Sequence, residues 1–336
     1  MINIQSIHNG YSTIKCGTAF SGVGAFEQAM KNLNLPHTNC FMVEIDAFAR
    51  QTFLANHTVN SVYKDVTTLD PSTLESVDIF VFGSPCQSFS IQGKRGGFED
   101  TRGTLVFYGL NIIQEKQPKY FIFENVKGML NHDKGKTFEV IQAAFEELNY
   151  TIKYSVLNSR DFGNPQNRER LFVVGIRNDI AQTFVFPKAN IAMPCLNDYI
   201  QKGPIDKRLL CKTDNILLCQ KESKSPIKKV AEYAHISFKS DKHIFSTQGI
   251  APCFRAGGRN TFFDTKNGVY RHLSVEEMAK VQGFDNFVFP VSNSQAYKQI
   301  GNSITVNVLE AILKNLLCAQ MPANIMIDTM NKEVAA

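Results

Sequence analysis

No apolar stretch in this 336-residue sequence approaches the roughly 18–20 residues that a membrane span requires, so no membrane partner is expected. The N-terminus lacks a charged segment followed by an apolar one; without a signal peptide, the expected compartment is the cytoplasm. Cysteine is present at eight positions, but no two of them form a C-x-x-C pair. With no secretion signal they read as reduced thiols, not as a disulfide framework. Metal spacing is missing too. None of the seven histidines has a partner at H-x₃₋₅-H distance, and no H-x-E pairs with a P-C-x-x-C. That excludes a zinc deaminase and leaves no metal site expected. Internal repeats and low-complexity segments are also absent.

What is present fits a globular protein: 43% apolar and 20% charged residues, in a chain long enough for one large domain or two smaller ones. The net charge of +5 permits a nucleic-acid partner without demanding one. Basic residues gather in loop-like sequence at Lys94-Arg95, at Arg168 and Arg170, in the lysines of 221–229, and at Arg255 and Arg259. Solvated loops would look the same on charge alone.

Residues 12–177 alternate strand-like and helix-like segments, as a parallel sheet with crossover helices would. Phe26, Ala29, Met30 and Leu33 share one helical face, and Phe138, Ile141, Phe145 and Leu148 another. The strands include Phe41 to Val43, Asp78 to Phe82, Tyr120 to Phe123, Tyr154 to Leu157 and Leu171 to Ile176. Periodicity fades at about Phe186 and returns at Ser274-Val275-Glu276-Glu277, a capping-box pattern. A last helix carries Val306, Leu309, Ile312, Leu313 and Leu316. We therefore expect an α/β domain of doubly wound, Rossmann-like type from residues 1–187 and 298–336, with a smaller irregular domain at 188–297.

"FSGVGAFE" (Phe20 to Glu27) follows a short strand and opens a helix, with Gly22 and Gly24 letting backbone N–H groups approach a ligand. Glu44 ends the next strand about twenty residues on, where such folds hydrogen-bond a ribose. Asp65, after another short connection, could contact the base of the same ligand. These residues alone do not separate NAD, a flavin and S-adenosylmethionine.

Chemistry-bearing residues lie just beyond strand ends, where open α/β sheets bind ligands. Cys86 follows one strand and Glu124 another, and "QNRER" (Gln166 to Arg170) precedes a third. Arg168 and Arg170 point the same way if that segment is extended. Each has a bland alternative, as packing, surface charge or salt-bridged rim; their shared topological position favours function. "IQGKRGGFEDTRG" (Ile91 to Gly103) reads as a mobile loop of the kind that closes over substrates.

The ordered set of motifs resembles the cytosine-5 DNA methyltransferases, from about Phe20 to about Leu309. "FSGVGAFE", "EID" (44–46) and "KDV" (64–66) are similar to the family's cofactor motifs, and "GSPCQSFSIQGKRGGFEDTRGTL" to its catalytic motif and loop. "FENV" (123–126), "PQNRER" (165–170), "RHLSVEEMAKVQGF" (271–284) and "YKQIGNSITVNV" (297–308) follow in the family order. The resemblance implies Cys86 as the nucleophile that attacks cytosine C6, and Glu124 as the group that holds the base edge. It implies Arg168 and Arg170 as their supports. It implies an S-adenosylmethionine site formed by Phe20, Ser21, Gly22, Val23, Gly24, Glu44, Ile45, Asp65, Val66, Pro85, Leu105 and Asn302. Gln87, Ser90, Lys94, Arg95, Gln166, Arg255 and Arg259 are the expected DNA contacts. The implied partner is double-stranded DNA, with a cognate restriction endonuclease or a phage as the setting, and the chain is expected to act as a monomer.

The sequence departs from the family pattern in three places, the mildest being Ser84 before Pro85, where phenylalanine is common. Lys15-Cys16-Gly17-Thr18-Ala19 lacks the aspartate often found just upstream of the motif phenylalanine. In the recognition region, Cys253-Phe254 stands within "GIAPCFRAGG" where many bacterial members carry a threonine and a small aliphatic residue. A Cys-Phe pair there also occurs in the tRNA-methylating branch, so a tRNA methyltransferase is an alternative. A DNA-binding relative without catalysis is another. The bland reading of Cys253 is a packed small residue.

Overall fold

The computed structural model describes residues 13–85, 105–188, 191–220, 224–236 and 239–318. Its first half builds seven strands: β1 (Ile14–Ala19), β2 (His37–Val43), β3 (Ser61–Tyr63), β4 (Ile79–Phe82), β5 (Tyr120–Val126), β6 (Tyr150–Asn158) and β7 (Glu169–Arg177). Helices α1 (Ala25–Asn32), α2 (Ala47–Asn56), α3 (Leu105–Lys116) and α4 (Lys136–Glu147) connect them. The strand order is β3-β2-β1-β4-β5-β7-β6, parallel except for β7, which runs antiparallel to both neighbours.

Continuous apolar runs make this sheet, because both of its faces are covered. Side chains alternate across the strands. Ile79, Val81, Tyr120, Ile122, Phe172 and Val174 enter the core that includes α1, while Phe80, Phe82, Phe121, Phe123, Leu171 and Val173 enter the core that includes α3 and α4. The second face is a stack of phenylalanines: Phe82 lies 4.8 Å from Phe123, and Phe121 4.4 Å from Phe145, between ring centroids. Gly175 makes this stack feasible, since a Cβ there would fall 1.9 Å from the Phe121 ring.

The second half holds β8 (Ile216–Leu218), β9 (Lys229–Tyr233), α5 (Lys239–Lys242), β10 (His243–Ser246), β11 (Thr261–Asp264) and β12 (Val269–Arg271). These strands form a second sheet in the order β12-β11-β10-β9-β8. The region expected to be irregular thus contains a five-stranded sheet. Its strands are only three to five residues long and carry Lys229, Glu232 and His243, too short and too polar to display a period.

Three helices end the described residues: α6 (Val275–Val281), α7 (Asn293–Asn302) and α8 (Val306–Cys318). The capping box forms as expected: Glu277 N donates to Ser274 Oγ at 3.2 Å, and Ser274 N to Glu277 Oε2 at 2.9 Å. Leu309, Ile312, Leu313 and Leu316 of α8 share a core with Phe26, Ala29 and Met30 of α1, and that core continues to Met278, Phe245 and Phe262. The expected division at residues 188 and 297 crosses this continuous core, so it is kept below as a proposal about function.

A buried ion cluster fastens the second sheet to α6. Arg271 reaches Asp264 through Nε at 2.7 Å, and Glu277 through both terminal nitrogens at 2.7 Å each. All three residues are at most 2% exposed. Among the described residues no helix is long and apolar enough to cross a membrane, and no group of three or more histidines, cysteines or acids is placed to hold a metal.

Candidate active site

The strand order changes direction between β1 and β4, and at such a switch point the strand ends diverge to leave a crevice. The chain leaving β1 turns sharply into α1. Phe20 takes φ +54°, a left-handed conformation that a non-glycine residue rarely adopts, and Gly22 follows at φ +56°. Gly22 N then donates to Glu44 Oε2 at 2.8 Å, while Glu44 Oε1 accepts from Asp46 N at 2.8 Å. Burial raises the Glu44 carboxyl above its ordinary pKa, and these two N–H groups oppose that rise.

A cavity of about 520 Å³ opens there. Of the expected cofactor residues, Phe20, Ser21, Gly22, Val23, Glu44, Ile45, Pro85 and Asn302 line it. Gly24, Asp65, Val66 and Leu105 do not. Gly24 caps α1 and abuts His57, where a Cβ would approach the ring to 2.5 Å. Asp65 turns its Oδ1 onto Thr67, 2.9 Å from N and 2.8 Å from Oγ1, which holds its own turn together. Val66 and Leu105 pack into or against the phenylalanine-rich core. The cavity nonetheless fits a nucleoside with a charged tail: its volume is that of a small-molecule site, and it presents the acceptor oxygens of Glu44 beside a glycine turn.

Glu124, Arg168 and Arg170 line the same cavity. Glu124 lies near the end of β5, facing Arg170 on the antiparallel neighbour β7; Arg170 Nε is 3.2 Å from Glu124 Oε1. Gly83 gives the carboxylate room, since a Cβ there would come within 3.2 Å of Oε2. Burial raises the Glu124 pKa, and Arg170 and then Arg168 pull it back down. The result is a carboxyl positioned to accept or share a proton with a polar ligand edge.

Arg168 has a different task. It is 3% exposed and donates to Phe254 O at 3.1 Å, Gly301 O at 3.1 Å and Ser303 O at 2.6 Å. Its burial, with Arg170 nearby, lowers its pKa to about 10. It is a strut that joins the entry to β7 with the chain at Phe254 and with the end of α7. Cys253 sits between both arginines, its Sγ 3.5 Å from Arg168 Nη1 and 3.8 Å from Arg170 Nη2. The chain passes over α7 at close range: a Cβ on Gly301 would fall 2.4 Å from the Arg255 backbone.

Gln166 does not match its expected place among the DNA contacts. It is fully buried, its Oε1 accepts from Phe254 N at 3.4 Å, and its backbone bridges to Ala251. The physical reason is that this glutamine braces the segment from Ala251 to Phe254 from beneath. Arg255 is half-exposed and pairs with Asp241, and Arg259 lies 5.3 Å above the Tyr297 ring. Cys86, Gln87, Ser90, Lys94 and Arg95 lie outside the described residues, as does the glycine-rich loop that contains Lys94 and Arg95. Thr18, Glu27, Lys298 and Ser303 also line the cavity, and sequence reasoning missed them. Nothing in the apolar pattern of α1 marks Glu27, which follows Phe26 as an ordinary polar flank.

Comparison with known proteins agrees with this geometry. A profile described as C-5 cytosine-specific DNA methylase matches residues 14–318. The chain is 35% identical to the type II methyltransferase M.HhaI of Haemophilus parahaemolyticus over 305 residues, covering 88% of this chain and 92% of that one. It is 36% identical to the type II methyltransferase M1.ScrFI of Lactococcus lactis subsp. cremoris over 307 residues, covering 89% and 76%. Among solved structures, the Dnmt2 methyltransferase of S. pombe superposes with a TM-score of 0.71 at 18% identity, over 90% of this chain and 99% of that one; this likeness speaks to the fold. The chain belongs to the C-5 cytosine-specific DNA methylase family.

Proposed function

We propose that this protein transfers a methyl group to C5 of a flipped-out cytosine within a specific double-stranded DNA sequence. The observation that carries the reading is the Glu124–Arg170 pair on the wall of the same cavity as the Gly22 turn and Glu44. Chemistry on a base requires its removal from the stack, which costs a few kcal/mol, and a cavity at the mouth of the sheet receives it. S-adenosylmethionine supplies the electrophilic methyl group, and Phe20, Gly22, Glu44 and Asn302 are the residues that would hold it.

Cytosine C5 is a weak nucleophile. Addition of the Cys86 thiolate to C6 makes the ring enamine-like, so that C5 can take the methyl group; loss of the C5 proton to a base and departure of the Cys86 thiolate then restore the ring. Glu124 hydrogen-bonds the base edge and stabilises the charge that develops as the adduct forms, with Arg170 fixing the carboxylate. Arg168 positions Cys253-Phe254 and the end of α7 around that site. Residues 188–297 serve target recognition, with Arg255, Arg259 and Lys94-Arg95 as DNA contacts, and the chain acts as a monomer in the cytoplasm. The two relatives named above are type II methyltransferases, which supports a modification enzyme of a restriction–modification system with a partner nuclease. The phage setting is supported by 50% identity over 163 residues to the orphan methyltransferase M.SPRI of Bacillus phage SPR, covering 48% of this chain and 37% of that one.

Covalent trapping tests the reading. Duplex DNA containing 5-fluorocytosine, incubated with the protein and S-adenosylmethionine, should give a stable adduct that Cys86→Ser abolishes. An adduct that persists in Cys86→Ser would overturn the assignment, and methyl transfer to tRNA but not to DNA would overturn the substrate. Bisulfite sequencing of DNA from cells expressing the protein then reads out the recognised sequence.

A further inference from the structure

One carboxylate on the cavity wall has no task in the reading above. Glu27, in the first turn of α1, is 2% exposed yet borders the cavity. Its Oε1 accepts from Thr18 Oγ1 at 2.9 Å. Thr18 Oγ1 is in turn 2.8 Å from Ser21 Oγ, which accepts from Val43 N at 3.2 Å. This chain of hydroxyls fixes one side of the carboxylate. The other oxygen, Oε2, is buried with no hydrogen-bond partner among the described residues. A buried carboxylate oxygen without a donor is destabilising, and such groups are retained where a ligand completes them.

Thr18 makes the position more pointed. It lies in the stretch where the family motif often carries an aspartate that this sequence lacks. Here the end of β1 offers a hydroxyl, and α1 brings a carboxylate to that hydroxyl.

We propose that Glu27 anchors the α-ammonium group of S-adenosylmethionine, with Thr18 as the positioning residue that holds its carboxylate. This rests on the cofactor reading above. An ammonium is the part of that molecule that answers an orphaned anionic acceptor, since it supplies both positive charge and three N–H donors. The sulfonium carries charge but no donor. Glu44 differs in kind: both its oxygens already accept backbone N–H groups, which suits it to a neutral hydroxyl. Burial alone lifts the Glu27 carboxyl to about 7, against the pull of the helix start and Thr18, so a cation beside it would restore its charge.

The test is calorimetric titration of the full chain with three ligands. S-adenosylmethionine has both cations, S-adenosylhomocysteine has the ammonium alone, and 5′-methylthioadenosine has neither. Glu27→Gln keeps the volume and the acceptor for Thr18 but removes the charge. It should weaken the first two ligands by about tenfold or more and leave the third unchanged. Thr18→Val should act in the same selective direction, and it carries the test if Glu27→Gln does not fold. Loss for S-adenosylmethionine alone would shift the contact to the sulfonium and overturn the proposal. Equal loss for all three, or no loss, also overturns it. Glu27 would then belong to the shallower groove that it borders with Lys31 and His57. Wild-type protein that binds none of the three refutes the cofactor reading itself, a result distinct from the others.

Discussion

Arg170 Nε stands 3.2 Å from Glu124 Oε1 across neighbouring antiparallel strands, with the two side chains only 18% and 13% exposed. The pair opposes the desolvation that would otherwise push the Glu124 pKa higher still. Arg170→Met removes the larger of the two favourable charges. The limb of the kcat/KM–pH profile that reports Glu124 should therefore move to higher pH, and activity at neutral pH should fall by about a hundredfold. An unmoved limb would show that Glu124 does not govern the profile.

Arg168→Lys tests the strut. A lysine keeps the charge but cannot span the carbonyls of Phe254, Gly301 and Ser303. Leaving buried acceptors unpaired should reduce stability by about 3 kcal/mol. Urea denaturation measures this, and a loss under 1 kcal/mol would mean that water replaces the guanidinium.

Arg271→Leu should be more severe than most substitutions. Asp264 and Glu277 would be left as buried anions beside an apolar side chain. Breaking such a cluster costs about 3–5 kcal/mol, again read from the urea midpoint.

His57 sets a pH-dependent stability. Burial, aided by Lys31 and His37, lowers its pKa from 6.5 to about 4. Below pH 6.5 the unfolded chain takes up a proton that the folded chain refuses, so stability falls as pH drops from 6.5 towards 4. Over that window the loss approaches about 3 kcal/mol. His57→Phe, which keeps a ring beside Phe53 and Phe287, should flatten this part of the profile in denaturation series from pH 7 to pH 5.

The sheet was legible because its strands are unbroken apolar runs. Ile79 to Phe82 reads as a buried strand and forms one, and the Ser274–Glu277 capping pattern opens the helix it suggests. The second sheet was not legible. Ile216–Leu218 and Val269–Arg271 are three residues each; the first pairs with β9 and the second with β11, and only the parallel β10–β11 contact across an intervening loop joins them into one sheet. In the site, motif order brought out Glu124 and both arginines. It could not distinguish Arg170, which faces the cavity carboxylate, from Arg168, whose donors are taken up by distant carbonyls. That difference arises from residues 86 and 133 positions away in sequence.

The crossing of Gly301 beneath Arg255 also sets where a splice can be made. On the recognition role proposed for residues 188–297, a specificity cassette taken from a relative has to stop short of Arg255. The backbone at Arg255 and Ala256 rests on Gly301 of α7, which belongs to the recipient, so a graft seats only on a recipient that keeps glycine at that position.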